Sequence, residues 1–120
     1  DSHNLIEKVI YPELQIGNSK LSADKYLSGG YGGMLGFELK GGTSAGKKFI
    51  DALELFYHVA NIGDSRSLAI HPASTTHSQL SAEEQLKTGV SESYIRLSVG
   101  IEHIEDILND LKNALDKSQA

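Results

Sequence analysis

The chain contains no cysteine, only one methionine and only two prolines among 120 residues. The missing thiols exclude disulfides, thiolate metal sites and a cysteine nucleophile. Basic residues are in deficit too, and the net charge of -5 argues against a nucleic-acid or anionic-membrane partner, since either would want a basic patch. No uninterrupted apolar run approaches the roughly 20 residues that span a bilayer. The opening Asp1-Ser2-His3-Asn4 lacks the basic start and apolar core of a signal peptide. The sole methionine is Met34, so an initiator is missing as well, which suggests processing or a fragment of something longer. A cytoplasmic protein is the default expectation. What remains is an ordinary globular composition, 39% hydrophobic and 22% charged, long enough for one domain with a real core.

Residues Asn4 to Tyr11 carry Ile6, Val9, Ile10 and Tyr11 and read as a strand closed by Pro12. Gly17-Asn18-Ser19 is turn chemistry, and Lys20 to Leu27 suits a short helix. Gly29-Gly30-Tyr31-Gly32-Gly33 permits unusual backbone angles. It lacks the Gly-Lys-Ser/Thr of a phosphate-cradling loop and precedes a strand, so a flexible turn is the reading. Met34 to Lys40 alternates, with Leu35, Phe37 and Leu39 on one face, as a half-buried strand does. After Gly41-Gly42, Thr43 or Ser44 can cap a helix expected from Ala45 to Ala60, with Phe49, Leu53, Phe56 and Ala60 on its apolar side. His58 falls on the opposite, solvated side. Ser81 and Glu84 form a capping box for a short helix stopped by Gly89. Tyr94 to Val99 alternates again and ends at Gly100. A last helix, about Ile101 to Lys117, turns Ile104, Ile107, Leu108, Leu111 and Leu115 inward, with Glu102, Glu105 and Asp106 in its first turns. Half-polar strands favour antiparallel pairing under one helical layer. The expected fold class is therefore α+β, a two-layer sandwich with a mostly antiparallel sheet of three to four strands and helices on one face.

Two stretches concentrate polar chemistry. Asn61 to His77, NIGDSRSLAIHPASTTH, sets Asn61, Asp64, Ser65, Arg66, Ser67, His71, Ser74, Thr75, Thr76 and His77 around a thin strand, Ser67 to Ile70. Side chains placed by a strand and its loops are the usual material of a binding site, although a polar loop joining two core elements would look similar. In Tyr94 to Gly100, Arg96 stands mid-strand between Ile95 and Leu97. In the expected architecture Ile95, Leu97, Val99, Leu68 and Ile70 face the helices, leaving Ser67, Ala69, Arg96 and Ser98 on the open side. A guanidinium there can grip a carboxylate with two parallel hydrogen bonds, with Ser67 as a further donor. The alternative is pairing with an internal acid such as Glu38 or Asp64. His71 and His77, six apart across a proline, have neither metal-pair spacing nor an evident third ligand, so no metal site is assigned. A triad of Ser74, His77 and Asp64 has no nucleophile elbow to support it.

The wording FELKGG (Phe37 to Gly42), NIGDSRSLAIHPASTTH (Asn61 to His77) and IRLSVGIEHIEDILNDL (Ile95 to Leu111) resembles the C-terminal domain of the cysteine/methionine-metabolism pyridoxal-phosphate enzymes. That family comprises cystathionine synthases and lyases, methionine γ-lyase and O-acetylhomoserine sulfhydrylase, and the likeness is strongest to the O-acetylhomoserine sulfhydrylase branch. It covers nearly the whole chain, with three motifs in the family's order. The resemblance implies that residues 1–120 are one small substrate-side domain, catalytically silent alone. Pyridoxal phosphate would sit on a lysine of a larger N-terminal domain absent from this chain. It implies that Arg96 binds the substrate α-carboxylate, that Ser67 lies at the same carboxylate and that Thr76 and His77 belong to the loop near the pocket, with no catalytic, cofactor-binding or metal-binding residue in this chain. The implied reaction is γ-replacement on O-acetylhomoserine by sulfide or a thiol, giving homocysteine or methionine, in an enzyme that forms tetramers from dimers. Arg66 departs from the acid that cystathionine-handling relatives often carry before the serine, which puts cystathionine in doubt as a substrate. Other members' activities, or a stand-alone amino-acid-binding module, are the alternatives.

Overall fold

The structure is a computed structural model that describes residues 2–120; Asp1 lies outside the described residues. Five strands form one sheet: β1 (Ile6–Ile10), β2 (Met34–Leu39), β3 (Tyr57–His58), β4 (Leu68–Ile70) and β5 (Tyr94–Ser98), in the order β1-β2-β5-β4-β3. All neighbours run antiparallel except β3 and β4, which are parallel. The α+β class and mostly antiparallel sheet are as expected. The fifth strand is β3, two residues long, where the sequence pattern suggests helix.

The alternating strands β2 and β5 make the floor of the core. Phe37, Leu39, Ile95 and Leu97 are at most 5% exposed. Over them lie α2 (Gly42–Ala52), through Ala45, Phe49 and Ile50, and α4 (Ile104–Ser118), through Ile107, Ala114 and Leu115. Phe37 and Phe49 meet edge to face with centroids 5.5 Å apart, the arrangement that aromatic quadrupoles favour.

Helix α2 stops eight residues short of Ala60 because a distant carboxylate competes for its backbone. Leu53 is already extended, with ψ 135°. The amides of Glu54, Leu55 and Phe56 donate to the Asp110 carboxylate of α4 at 2.8, 2.9 and 3.1 Å. Three charge-assisted bonds replace the helical ones that these amides would have made. At the other end, neither Thr43 nor Ser44 caps α2; Gly41 does so with φ 102°. Helix α4 starts at Ile104 rather than Ile101, with the His103 ring accepting from the Glu105 amide at 3.3 Å. Its buried face runs through Ile107, Asp110, Ala114 and Leu115, while Ile104 and Leu108 stay exposed.

The short α3 (Ala82–Lys87) has the reciprocal Ser81–Glu84 capping box, and Gly89 beyond it has φ 82°. Helix α1 (Gly17–Tyr26) begins three residues earlier than the turn chemistry suggests and buries none of its residues. It is the exception to a single helical layer: it stands on the side of the sheet away from α2 and α4, flanking a hollow described below.

The register of β4 overturns one expectation. Ala69 pairs with Leu97, whereas Leu68 pairs with Ser98 and Ile70 with Arg96. Cross-strand partners share a face, so Ala69 points to the core and Leu68 and Ile70 lie on the Arg96 side. Residues Ser67 to Pro72 are all buried, which leaves no polar alternation from which to read the parity.

Candidate functional site

Four strands place one row of residues across the open face. Ile10 pairs with Gly36, Gly36 with Arg96, and Arg96 with Ile70. Gly36 gives this row a notch beside the guanidinium, and the Tyr94 ring lies in it: a Cβ at Gly36 would come within 2.6 Å of the Tyr94 Cζ. Burial pushes the Tyr94 phenol above its usual range, against the opposing influence of Arg96. Beside the row is a hollow of about 590 Å³, floored by Ile10, Gly36 and Arg96 and flanked by Tyr11 and by Ser19 and Ala23 of α1.

Arg96 is half-buried, and among the described residues its guanidinium makes one hydrogen bond, from Nη2 to the Asn61 carbonyl at 3.3 Å. Among the described residues no carboxylate forms an ion pair with it. The acids suggested as internal partners are occupied elsewhere. Glu38 accepts from Ser91 at 3.2 Å, and Asp64 accepts from the Arg66 amide at 2.9 Å. On α1, Asp24 takes Lys20 at 2.9 Å and the Tyr31 hydroxyl at 3.0 Å, and the Lys20 bond holds its carboxyl below the usual range.

Ser67 is fully buried but is not beside Arg96 on the open face. It precedes β4 with the parity of Ala69; its carbonyl accepts from the Tyr57 amide at 2.9 Å, and its amide and hydroxyl are spent on the chain after β5. Its amide and hydroxyl donate to the Glu102 carboxylate at 2.6 and 2.8 Å, and its hydroxyl accepts from the Gly100 amide at 2.9 Å. Burial pushes the Glu102 carboxyl up, but the hydrogen bonds from Ser67, its own backbone amide and the Arg66 charge together outweigh it and leave the group below the usual carboxylate range. The residue that sequence reasoning passes over is Asn61. It sits in the same polar stretch, and the structure puts its carbonyl against the guanidinium; no local pattern distinguishes it from its polar neighbours.

The downstream half of the stretch is organised around a different centre. The buried His71 ring contacts Ser74 Oγ through Nδ1 and the Glu92 carbonyl through Nε2, both at 2.7 Å. A carbonyl can only accept, so Nε2 carries the proton and Nδ1 accepts from Ser74. Burial pushes the ring pKa down, and it is held neutral. Thr76 is exposed, pairs with the His77 ring at 2.9 Å and does not line the hollow. Ser74, His77 and Asp64 each have other partners and form no triad. Among the described residues no three metal-ligating side chains come together.

A lysine that carries pyridoxal phosphate must be desolvated to act as a neutral amine. Eight of the nine lysines here are exposed, and Lys20 is tied to Asp24.

Residues 1–116 match the Cys/Met metabolism PLP-dependent enzyme family. The chain is 55% identical over 114 residues to an O-acetyl-L-homoserine sulfhydrylase of Leptospira meyeri, a match covering 94% of this chain and 26% of that protein. With O-acetyl-L-homoserine sulfhydrylase 1 of Thermus thermophilus it shares 53% over 119 residues, 95% of this chain and 28% of the relative. A crystal structure described as an O-acetylhomoserine (thiol)-lyase of Campylobacter jejuni, which contains a pyridoxyl-lysine phosphate, superposes with a TM-score of 0.86 at 44% identity, over 96% of this chain and 27% of that one. The chain thus spans about a quarter of the length of the relatives it matches.

Proposed function

The chain belongs to the Cys/Met metabolism PLP-dependent enzyme family, and we propose that within it residues 1–120 form the C-terminal, substrate-side domain of a γ-replacement enzyme. The substrates are O-acetylhomoserine and sulfide or a thiol, and the product is homocysteine or methionine. The cofactor sits on a lysine of a larger domain outside this chain, in a cytoplasmic homotetramer, and this domain alone is inactive. The electron-sink chemistry belongs to pyridoxal phosphate and to the domain that holds it.

The observation that carries this reading is Arg96: a guanidinium free of any acid among the described residues, standing in the floor of a hollow. A planar fork with unfilled donors in a half-buried place suits an α-carboxylate, which it can take in two parallel hydrogen bonds. Fixing the carboxylate fixes the orientation of the amino acid, and orientation is worth a large part of a catalytic barrier. Asn61 steadies the guanidinium from one side. Neither Ser67, which is engaged by Glu102, nor Thr76 reaches this hollow, so the reading gives both a supporting place in the loops around it.

The test is Arg96→Ala in the full-length enzyme. Removing one partner of a desolvated charge pair costs about 2–5 kcal/mol. Arg96 is only half-buried, so the low end applies and KM for O-acetylhomoserine should rise about 30-fold, with KM for sulfide nearly unchanged. Equal effects on both substrates would refute the carboxylate clamp.

A further inference from the structure

We propose that Glu102 is a positioning residue for this clamp: by holding Ser67 it fixes the Asn61–Arg66 loop against the Arg96 guanidinium. The inference rests on the carboxylate-binding reading of Arg96 and goes beyond it, to what keeps the guanidinium's neighbour in place.

The loop between β3 and β4 is exposed from Asn61 to Arg66 and has no apolar anchor of its own. On one side Arg66 ties it to β3, donating to the Tyr57 hydroxyl at 2.6 Å with the guanidinium 3.8 Å over that ring; on the other its attachments are hydrogen bonds to the end of β5 and the segment that continues it. Gly63 donates to Ser98 Oγ at 3.3 Å, and the Ile101 amide donates to the Ser65 carbonyl at 2.9 Å. Glu102 closes the series with both carboxylate oxygens on Ser67, at 2.6 and 2.8 Å. Both are short and charge-assisted, roughly twice the strength of neutral bonds, and on this side of the loop they are the only such bonds among the described residues. Gly100 lets the two backbones approach: a Cβ there would come within 2.6 Å of the Ser67 amide nitrogen. At the loop's far end is Asn61, whose carbonyl is the one group among the described residues that the Arg96 guanidinium touches by a hydrogen bond. The depressed carboxyl pKa of Glu102 agrees with a group kept ionised for this purpose.

Glu102→Gln keeps the shape but replaces one acceptor with an amide NH₂ facing a donor. In the full-length enzyme it should raise KM for O-acetylhomoserine about tenfold, leave kcat and the KM for sulfide within about twofold, and speed amide exchange across Asn61–Ser67. Glu102→Asp, which keeps the charge, should recover part of the loss. Because Glu102 acts through the Arg96 site, Glu102→Gln added to Arg96→Ala should raise KM no further, whereas a merely structural role would add its full factor in both backgrounds. Full additivity, or unchanged exchange and KM in the single variant, would overturn the proposal. Should Arg96→Ala itself leave KM unmoved, the carboxylate reading falls on its own, and the exchange experiment still decides whether Glu102 holds the loop.

Discussion

Replacing Asp110 tests whether a single carboxylate in α4 ends helix α2. Its oxygens take three backbone amides at 2.8, 2.9 and 3.1 Å, and the residue is 8% exposed. In Asp110→Ala the exposed Glu54 can turn its amide to water, but the half-buried Leu55 and buried Phe56 cannot. A stranded buried donor costs about 1–3 kcal/mol. Two of them, less the relieved cost of burying the carboxylate, give a loss of about 3 kcal/mol. With a urea slope of about 1.5 kcal/mol/M, the unfolding midpoint should fall by about 2 M. Asp110→Asn keeps one acceptor and should lose roughly half as much. Asp106→Asn, on the exposed first turn of the same helix, should cost only about 0.5 kcal/mol through the helix dipole. Equilibrium urea unfolding followed by circular dichroism measures all three. If Asp110→Ala and Asp106→Asn shift the midpoint equally, the carboxylate is not what stops α2.

Two further predictions concern the neutral histidine and the notch. The folded-state pKa of His71 is lowered by burial, so below the unfolded value of about 6.5 the unfolded chain binds protons that the folded chain refuses. The associated stability is present above that pH and lost progressively on acidification, and urea midpoints measured from pH 8 to pH 5 should decline. The decline should flatten in His71→Gln, and an equal slope in both proteins would refute this assignment. Gly36→Ala should push aside the Tyr94 ring rather than unfold the sheet, since the clash meets the far end of a side chain. The expected result is an altered near-ultraviolet tyrosine signal with about 1 kcal/mol of lost stability; an unchanged spectrum would mean that the ring does not lie in the notch.

The legible parts of this fold are those whose causes are local. The alternation of β2 and β5, the Ser81–Glu84 box and the left-handed Gly89 are all written within a few residues and all occur as expected. The illegible parts have distant causes. Leu53 and Phe56 keep helical spacing after Ala52, yet the group that breaks the helix lies 54 residues beyond Phe56. The parity of β4 was open because Ser67 to Pro72 is buried throughout. Strict alternation places Ser67 on the open face; its register and its bonds to Glu102 put it elsewhere. Arg96 was legible because a charged fork between Ile95 and Leu97 contradicts its surroundings. Asn61 was not, since it meets the guanidinium through its backbone carbonyl, and side-chain chemistry is silent about that.

The strip from Arg96 to Glu102 works as a ruler laid along the loop opposite. Arg96 reads Asn61, Ser98 reads Gly63, and Gly100 and Glu102 both read Ser67. Individual letters on such a ruler can be altered one at a time, each at a local cost. Its length cannot. One residue gained or lost between Arg96 and Glu102 shifts the marks on one side of the change against those on the other, so the guanidinium and the groups steadying its neighbour fall out of step together.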